Sequence, residues 1–195
     1  MRLRPALTLA LLWLSACDPS APTAEPDAAA PTGPLPDDSL YQLGLSLTDQ
    51  EGRTVDLGLY RGHPTLVTMF YASCPAACPM LIADLEAIEA ALSPTLRSDL
   101  RVVMVSFDPE VDTPEALSRL SAEHGLDEAR WTLARSHPDD VRALAAVLGI
   151  SYRRLETGHY NHSAVITLLD TEGRPTARIE GLQQPADALL AALSR

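Results

Sequence analysis

A pair of cysteines separated by three residues, set between a buried-strand pattern and a helix pattern, constrains this chain more than any other feature. Thr65 to Phe70 is a short apolar, β-rich run. Met80 to Leu92 then places Leu81, Ile82, Leu85, Ile88 and Leu92 at helical spacing, with Asp84, Glu86 and Glu89 on other faces. Between them lies Tyr71-Ala72-Ser73-Cys74-Pro75-Ala76-Ala77-Cys78-Pro79. Pro79 suits the first position of the helix, which predicts Cys78 at its cap, where the positive end of the helix dipole favours a thiolate. The i, i+4 spacing brings Cys74 about one turn back on the same side of the chain. Two thiols at such a junction serve thiol–disulfide exchange or bind a soft metal. A plain stabilising disulfide is the bland alternative, and the exposed, functional location of a proline-rich strand-to-helix loop argues against it.

The flanking patterns predict what surrounds that junction. Leu43, Leu45 and Leu47 alternate with small or polar residues, and Thr48-Asp49-Gln50-Glu51-Gly52 offers a turn before Thr54-Val55-Asp56-Leu57, so an N-terminal β-hairpin is expected. Val102 to Phe107 is a second buried-strand pattern. Thr113 caps a helix that has Pro114 at its first position and runs to Glu123. Trp131 to Ala134 reads as a strand, and Pro138 to Leu148 as a helix stopped by Gly149. Ala164 to Leu169 and Pro175 to Ile179 read as strands joined by the turn Asp170-Thr171-Glu172-Gly173, and Gln184 to Ser194 closes as a helix. Hydrophobic residues make up 46% of the chain and aromatics only 5%, so the core is aliphatic. Strands alternating with helices, then a hairpin and a final helix, predict the α/β class. The expected architecture is one three-layer, thioredoxin-like domain over residues 39–195, with a mixed central sheet and an N-terminal β-hairpin.

Charge excludes one class of partner, and the N-terminus supplies an address. The fifteen basic residues are all Arg and face 26 Asp and Glu, a net charge of −11. Nucleic-acid binders need a basic stripe to release counterions, so no nucleic acid is expected. Arg2 and Arg4 precede an apolar run from Ala6 to Leu14 broken only by Thr8. That run spans roughly 14 Å, about half of a bilayer core, which suits a signal peptide over residues 1–16 and not a membrane span. Leu14-Ser15-Ala16-Cys17 resembles a bacterial lipobox, so Cys17 is expected to carry lipid, and Asp18 resembles the signal that retains such proteins in the inner membrane. Residues 18–38 hold six of the sixteen prolines and five acids, and almost nothing large and apolar, so 17–38 is expected to be a disordered tether. The domain would then face the periplasm, where a free cysteine pair oxidises unless something reduces or ligates it.

The stretch that should face the cysteines helps to choose between their uses. Redox proteins of the thioredoxin type generally carry two residues between the cysteines and a cis-proline before the facing strand. Here there are three, and the corresponding stretch is Gly158-His159-Tyr160-Asn161-His162-Ser163, with two histidines and no proline. Two thiolates with one imidazole make a soft three-ligand site suited to Cu(I) and tolerable for Cu(II), whereas a structural zinc usually wants a fourth protein ligand. His162, against a strand start, is the expected third ligand, ahead of His159. His63, His124 and His137 are expected to have no such role.

Three motifs in order carry a resemblance: Ser73-Cys74-Pro75-x-x-Cys78-Pro79, then Ser106-Phe107-Asp108-Pro109-Glu110-x-Asp112-Thr113-Pro114, then Asn161-His162-Ser163 with Asp170 after the strand. Together they resemble the SCO/SenC family, over essentially all of residues 40–195. The resemblance implies a copper chaperone for cytochrome c oxidase. Cys74, Cys78 and His162 would bind one copper and hand it to the binuclear copper site of oxidase subunit II. It implies an upstream periplasmic copper donor as a further partner; the lipobox resemblance adds the membrane, through Cys17. Some members are credited instead with reducing the disulfide of that subunit's ligand cysteines, so Cys74 and Cys78 are also candidate redox residues. Asn161 stands where an Asp is common and Ser73 where a Thr is common; neither changes a ligand. Asp108 and Asp112 read as turn and helix-start residues, with a supporting place beside the metal as the sharper alternative. A peroxidase working through one oxidisable cysteine has no further sequence support.

Overall fold

The computed structural model describes residues 32–74 and 76–194. The expected signal peptide, Cys17 and most of the tether lie outside them. In chain order the elements are β1 (Ser46–Asp49), β2 (Thr54–Asp56), β3 (Thr65–Phe70), α1 (Ala77–Ala91), α2 (Pro94–Asp99), β4 (Arg101–Ser106), α3 (Pro114–His124), β5 (Trp131–Ser136), α4 (Pro138–Leu148), β6 (Tyr152–Arg154), β7 (Tyr160–His162), β8 (Val165–Leu169), β9 (Pro175–Glu180) and α5 (Asp187–Leu193). Seven strands form one sheet in the order β2-β1-β5-β4-β3-β8-β9, and β6 with β7 forms a separate pair. β3, β4 and β5 run parallel, while β1, β2, β8 and β9 join antiparallel on the two flanks. The sheet is mixed, as the pattern of elements predicts, and the N-terminal hairpin is its edge.

Local chemistry explains most of the boundaries. β3 is buried at all six positions because its sheet is covered on both faces, which is why it reads as a continuous apolar run. α1 buries Leu81, Ile82, Leu85 and Ile88, the stripe that its spacing predicts. Glu89, expected on a polar face, is also buried; its carboxylate accepts the Trp131 indole N–H at 3.0 Å and pairs with Arg130. Thr113 caps α3 through the Ala116 amide. His137 caps α4 through the Asp139 amide. Asp49 and Asp170 build the two hairpin turns of the main sheet alike, each accepting two backbone N–H groups with one carboxylate oxygen. At the second turn a Cβ on Gly173 would come within 2.6 Å of the Tyr41 ring, so only glycine fits there.

Three expectations shift. The alternation that begins at Leu43 reads as strand, but Leu40–Leu43 is a 3₁₀ turn: the Ser39 hydroxyl accepts the Tyr41 amide and Gly44, at φ 57°, ends the turn. α2 has no counterpart in the sequence reading; Ser93 caps it and Pro94 opens it. The last helix begins at Asp187, because Pro185 biases Gln184 away from the helical region.

The topology gathers one set of loops at one end of the sheet. β3 and β4 run in parallel and end at Phe70 and Ser106. β8 runs back along β3, with Thr65 opposite Leu169, so the start of β8 lies beside the end of β3. The Thr68 hydroxyl donates to the Val165 carbonyl at 2.6 Å and pins that junction. The cysteine loop, the β4–α3 loop and the β6–β7 hairpin therefore share one pole of the molecule.

Candidate metal centre

The cysteine half grows directly from the core. The loop after β3 closes as the Cys74 N–H donates to the Tyr71 carbonyl at 3.2 Å. α1 begins at Ala77, so Cys78 falls inside its first turn and not at its cap. The group that does the capping is the other sulfur. Ala76 offers no side-chain cap, and the Cys78 N–H donates to Cys74 Sγ at 3.4 Å. The thiolate-favouring end of the helix thus acts on Cys74, which corrects the assignment that sequence spacing suggests. Burial opposes ionisation of Cys74, but the Ala76 and Cys78 amides and the Cys78 and Tyr71 side chains together outweigh it and lower its pKa. Cys78 is 1% exposed and its thiol donates to the Tyr71 carbonyl at 3.2 Å. Burial pushes the Cys78 thiol up, and the charges of Cys74 and Asp112 push it further.

The histidine half is a small appendage. β6 and β7 pair antiparallel with Tyr152 opposite His162 and Arg154 opposite Tyr160, where the sequence reading had a loop. Alternation on β7 turns Tyr160 and His162 to the inner face and leaves Asn161 exposed. There they meet aromatic rings: Phe107 lies 4.8 Å from the His162 ring centre and 5.1 Å from that of Tyr160, and Tyr71 meets His162 edge-on at 6.0 Å. Tyr152 stacks on the outer side of this group against Phe107 at 5.3 Å. Four of the nine aromatic residues in the chain, Tyr71, Phe107, Tyr152 and Tyr160, thus line one site. His162 Nδ1 sits 3.3 Å from the Ser163 carbonyl; as a donor there it leaves the Nε2 lone pair free. Burial holds His162 below the usual imidazole range, opposed by that carbonyl, so the ring is neutral and competent as a ligand at neutral pH.

A loop that bears no ligand ties the two halves together. Asp108 and Asp112, after β4, are 5% and 1% exposed. Asp112 Oδ2 accepts the Ala72 N–H at 2.9 Å, beside the cysteine loop, and the Ser106 hydroxyl. The Asp108 N–H donates to the Ser106 hydroxyl at 2.9 Å, and its Oδ1 accepts the Tyr160 hydroxyl at 3.1 Å. Burial raises the Asp112 pKa against the pull of Ser106 and Ala72.

The result is convergence. Ligand atoms of Cys74, Cys78 and His162 lie within 4.8 Å of one another, and no other group of this kind forms among the described residues. Two sulfurs and one imidazole nitrogen suit a soft metal ion. His159 is exposed on the hairpin, outside the group. His63 pairs with Asp99 at 2.6 Å, His124 ends α3 and His137 caps α4, so none of the three reaches it. The aromatic lining and the Tyr160 contact have no counterpart in the sequence reading. The signal available for them was the Tyr-x-His alternation, which puts Tyr160 and His162 on one face of any strand.

A family model described as SCO1/SenC matches residues 37–195. The chain belongs to the SCO1/SenC family. Among curated relatives, the SCO1 protein homolog of Bacillus subtilis is 26% identical over 87 residues, so the match spans 45% of each chain, less than half of that relative's length. Among solved structures, a SCO1/SenC family lipoprotein from Bacillus anthracis superposes with a TM-score of 0.70 at 20% identity, covering 77% of this chain and 90% of that one. ScoI of Bradyrhizobium japonicum, solved with copper bound, superposes with a TM-score of 0.64 at 24% identity, covering 77% and 96%. These likenesses establish the thioredoxin-like SCO fold. Among the described residues no helix is long and apolar enough to cross a membrane.

Proposed function

We propose that this SCO1/SenC protein is a metallochaperone that carries one copper ion as cargo on Cys74, Cys78 and His162 and delivers it to the binuclear copper site of cytochrome c oxidase subunit II. The observation that carries the reading is the convergence of those three side chains within 4.8 Å. The copper-bound SCO relative adds support. Cys74 is the ready ligand, already biased to thiolate; Cys78 gives up its proton on binding, so loading releases a proton. Delivery is ligand exchange with a partner of comparable donors and needs no acid or base. Cys74, at 9% exposed, and the half-buried His162 are the ligands an incoming partner reaches, with Cys78 behind them at 1%. Asp108 and Asp112 support both halves from behind. In this reading copper arrives from an upstream periplasmic donor. The domain faces the periplasm on a tether of residues 17–38, held to the inner membrane by lipid on Cys17 once the signal peptide of residues 1–16 is removed; the lipoprotein relative supports the lipid anchor.

The asymmetry of the two thiols favours a second use. A thiolate-biased Cys74 beside a buried, high-pKa Cys78 has the nucleophile and resolving thiol of a disulfide reductase. Cys74 would attack a partner's disulfide and Cys78 would displace the product, passing two electrons and leaving Cys74–Cys78 oxidised. His162→Ala separates the two. For the chaperone, copper affinity should fall by no less than the roughly 10- to 100-fold that loss of a mere supporting partner costs, and the sulfur-to-copper charge-transfer bands should change. For the reductase, disulfide reduction with a copper chelator present should survive the substitution. Unchanged copper affinity and spectrum in His162→Ala would remove the three-ligand reading.

A further inference from the structure

The β6–β7 pair has little to hold it in place by itself. Two strands of three residues make a marginal hairpin in water, and every residue from Arg153 to His159 is exposed. Its inner face nonetheless carries the one nitrogen ligand, so something in the body must decide where that ligand stands. Rings supply part of the hold: Phe107 and Tyr71 pack on Tyr160 at 5.1 and 5.3 Å. Ring packing sets only a shallow preference of geometry and tolerates sliding more readily than a hydrogen bond does. A directional tie sits at Tyr160, whose hydroxyl donates to Asp108 Oδ1 at 3.1 Å. Asp108 does not belong to the hairpin. It is buried, and its own N–H is fixed on the hydroxyl of Ser106, the last residue of β4. Ser106 is in turn bonded to Asp112, which grips the cysteine loop at Ala72. One short polar chain therefore runs from the hairpin through the β4–α3 loop to Ala72 in the cysteine loop.

We infer that Tyr160 is a positioning residue: its hydrogen bond to Asp108 latches the hairpin onto the β4–α3 loop and sets His162 against the two sulfurs. Tyr160 and His162 lie two residues apart on the same face of β7, so the position of one phenol oxygen sets the depth of the imidazole. For copper this inference rests on the three-ligand reading above; the latch itself belongs to the metal-free protein and is tested there.

The test is native-state hydrogen exchange on the metal-free full chain, comparing the parent with Tyr160→Phe, Asp108→Asn and the double variant. Tyr160→Phe keeps the ring and its packing. A hydrogen bond to a carboxylate is strong enough that amides of residues 153–162 should exchange about 10- to 100-fold faster in that variant, with β3 and β4 amides unchanged. Asp108→Asn should loosen the same amides, and the double variant should add nothing further. Hairpin exchange within about twofold of the parent in Tyr160→Phe, or additive effects in the double variant, would overturn the latch. With copper added, Tyr160→Phe should shift the charge-transfer bands of a site that still holds the ion. If His162→Ala leaves those bands untouched, the three-ligand reading fails while the metal-free exchange result still decides the latch.

Discussion

The two halves of the candidate centre are built by opposite means. Cys74 stands on the loop that closes behind β3 and Cys78 in the first turn of α1, beside a strand buried at every residue and on a helix whose four aliphatic side chains face the core. Moving either sulfur means moving the core. The histidine stands on a hairpin outside the main sheet, held by a few rings and one phenol-to-carboxylate bond. A close-packed interior resists displacement, whereas a small appendage is governed by individual contacts. Under the proposed function the difference would suit a cargo: sulfur holds a soft ion firmly, and a third ligand on a separable element is the one easiest to withdraw.

Substitutions at graded depth sharpen this contrast. The largest effect is expected at its rigid end. Cys78→Ser keeps a small hydrogen-bonding side chain on the Tyr71 carbonyl but removes a soft donor, so stoichiometric copper binding should be lost while the melting temperature stays near that of the parent. Retained binding, measured by elemental analysis, would place the ion somewhere other than on this pair. A smaller effect is expected behind the site. Asp112→Ala strips the acceptor from the Ala72 amide and the Ser106 hydroxyl. It should cost about 1–3 kcal/mol, a fall of about 2–4 °C in Tm per kcal/mol for a domain of this size. Loosening confined to the hairpin, with no loss of Tm, would show that the two halves are not divided as described. The smallest effect lies within the cysteine pair itself. Because the Cys74 pKa is lowered, its thiolate persists to lower pH than that of an ordinary cysteine. Iodoacetamide should modify Cys74 with a pH midpoint below the usual thiol range, while Cys78, with its raised pKa, stays unmodified across the same range. Equal reactivity of the two would erase the asymmetry.

How much of this was legible in the residues follows from the range of the forces involved. The strand Thr65–Phe70, the strand from Pro175, the helices after Thr113 and His137 and the turn at Asp170 are written in local patterns of burial, capping and turn chemistry, and they stand within a residue of where those patterns put them. The hairpin at residues 152–162 has no signal in the residues, because three-residue strands carry too little alternation. The place of Cys78 is not fixed locally: Pro79 fits more than one of the first helical positions, and which one is taken depends on Cys74 Sγ capping the turn. Helical spacing puts Glu89 on a polar face, and the partners that bury it, Trp131 and Arg130, are some forty residues away.

The residues by themselves determined the candidate donor set and the class of fold. Soft ligands are a matter of side-chain type, and the alternation of strand and helix is a matter of spacing. Only the tertiary structure decided which thiol is poised to ionise, since that depends on the sulfur to which the Cys78 amide points. It also decided how the imidazole is held, since Tyr160 and Asp108 are 52 residues apart and nothing but the fold makes them neighbours. Spacing along a chain reports what the backbone does within a few residues; charge, burial and long-range hydrogen bonds exist only once distant segments meet.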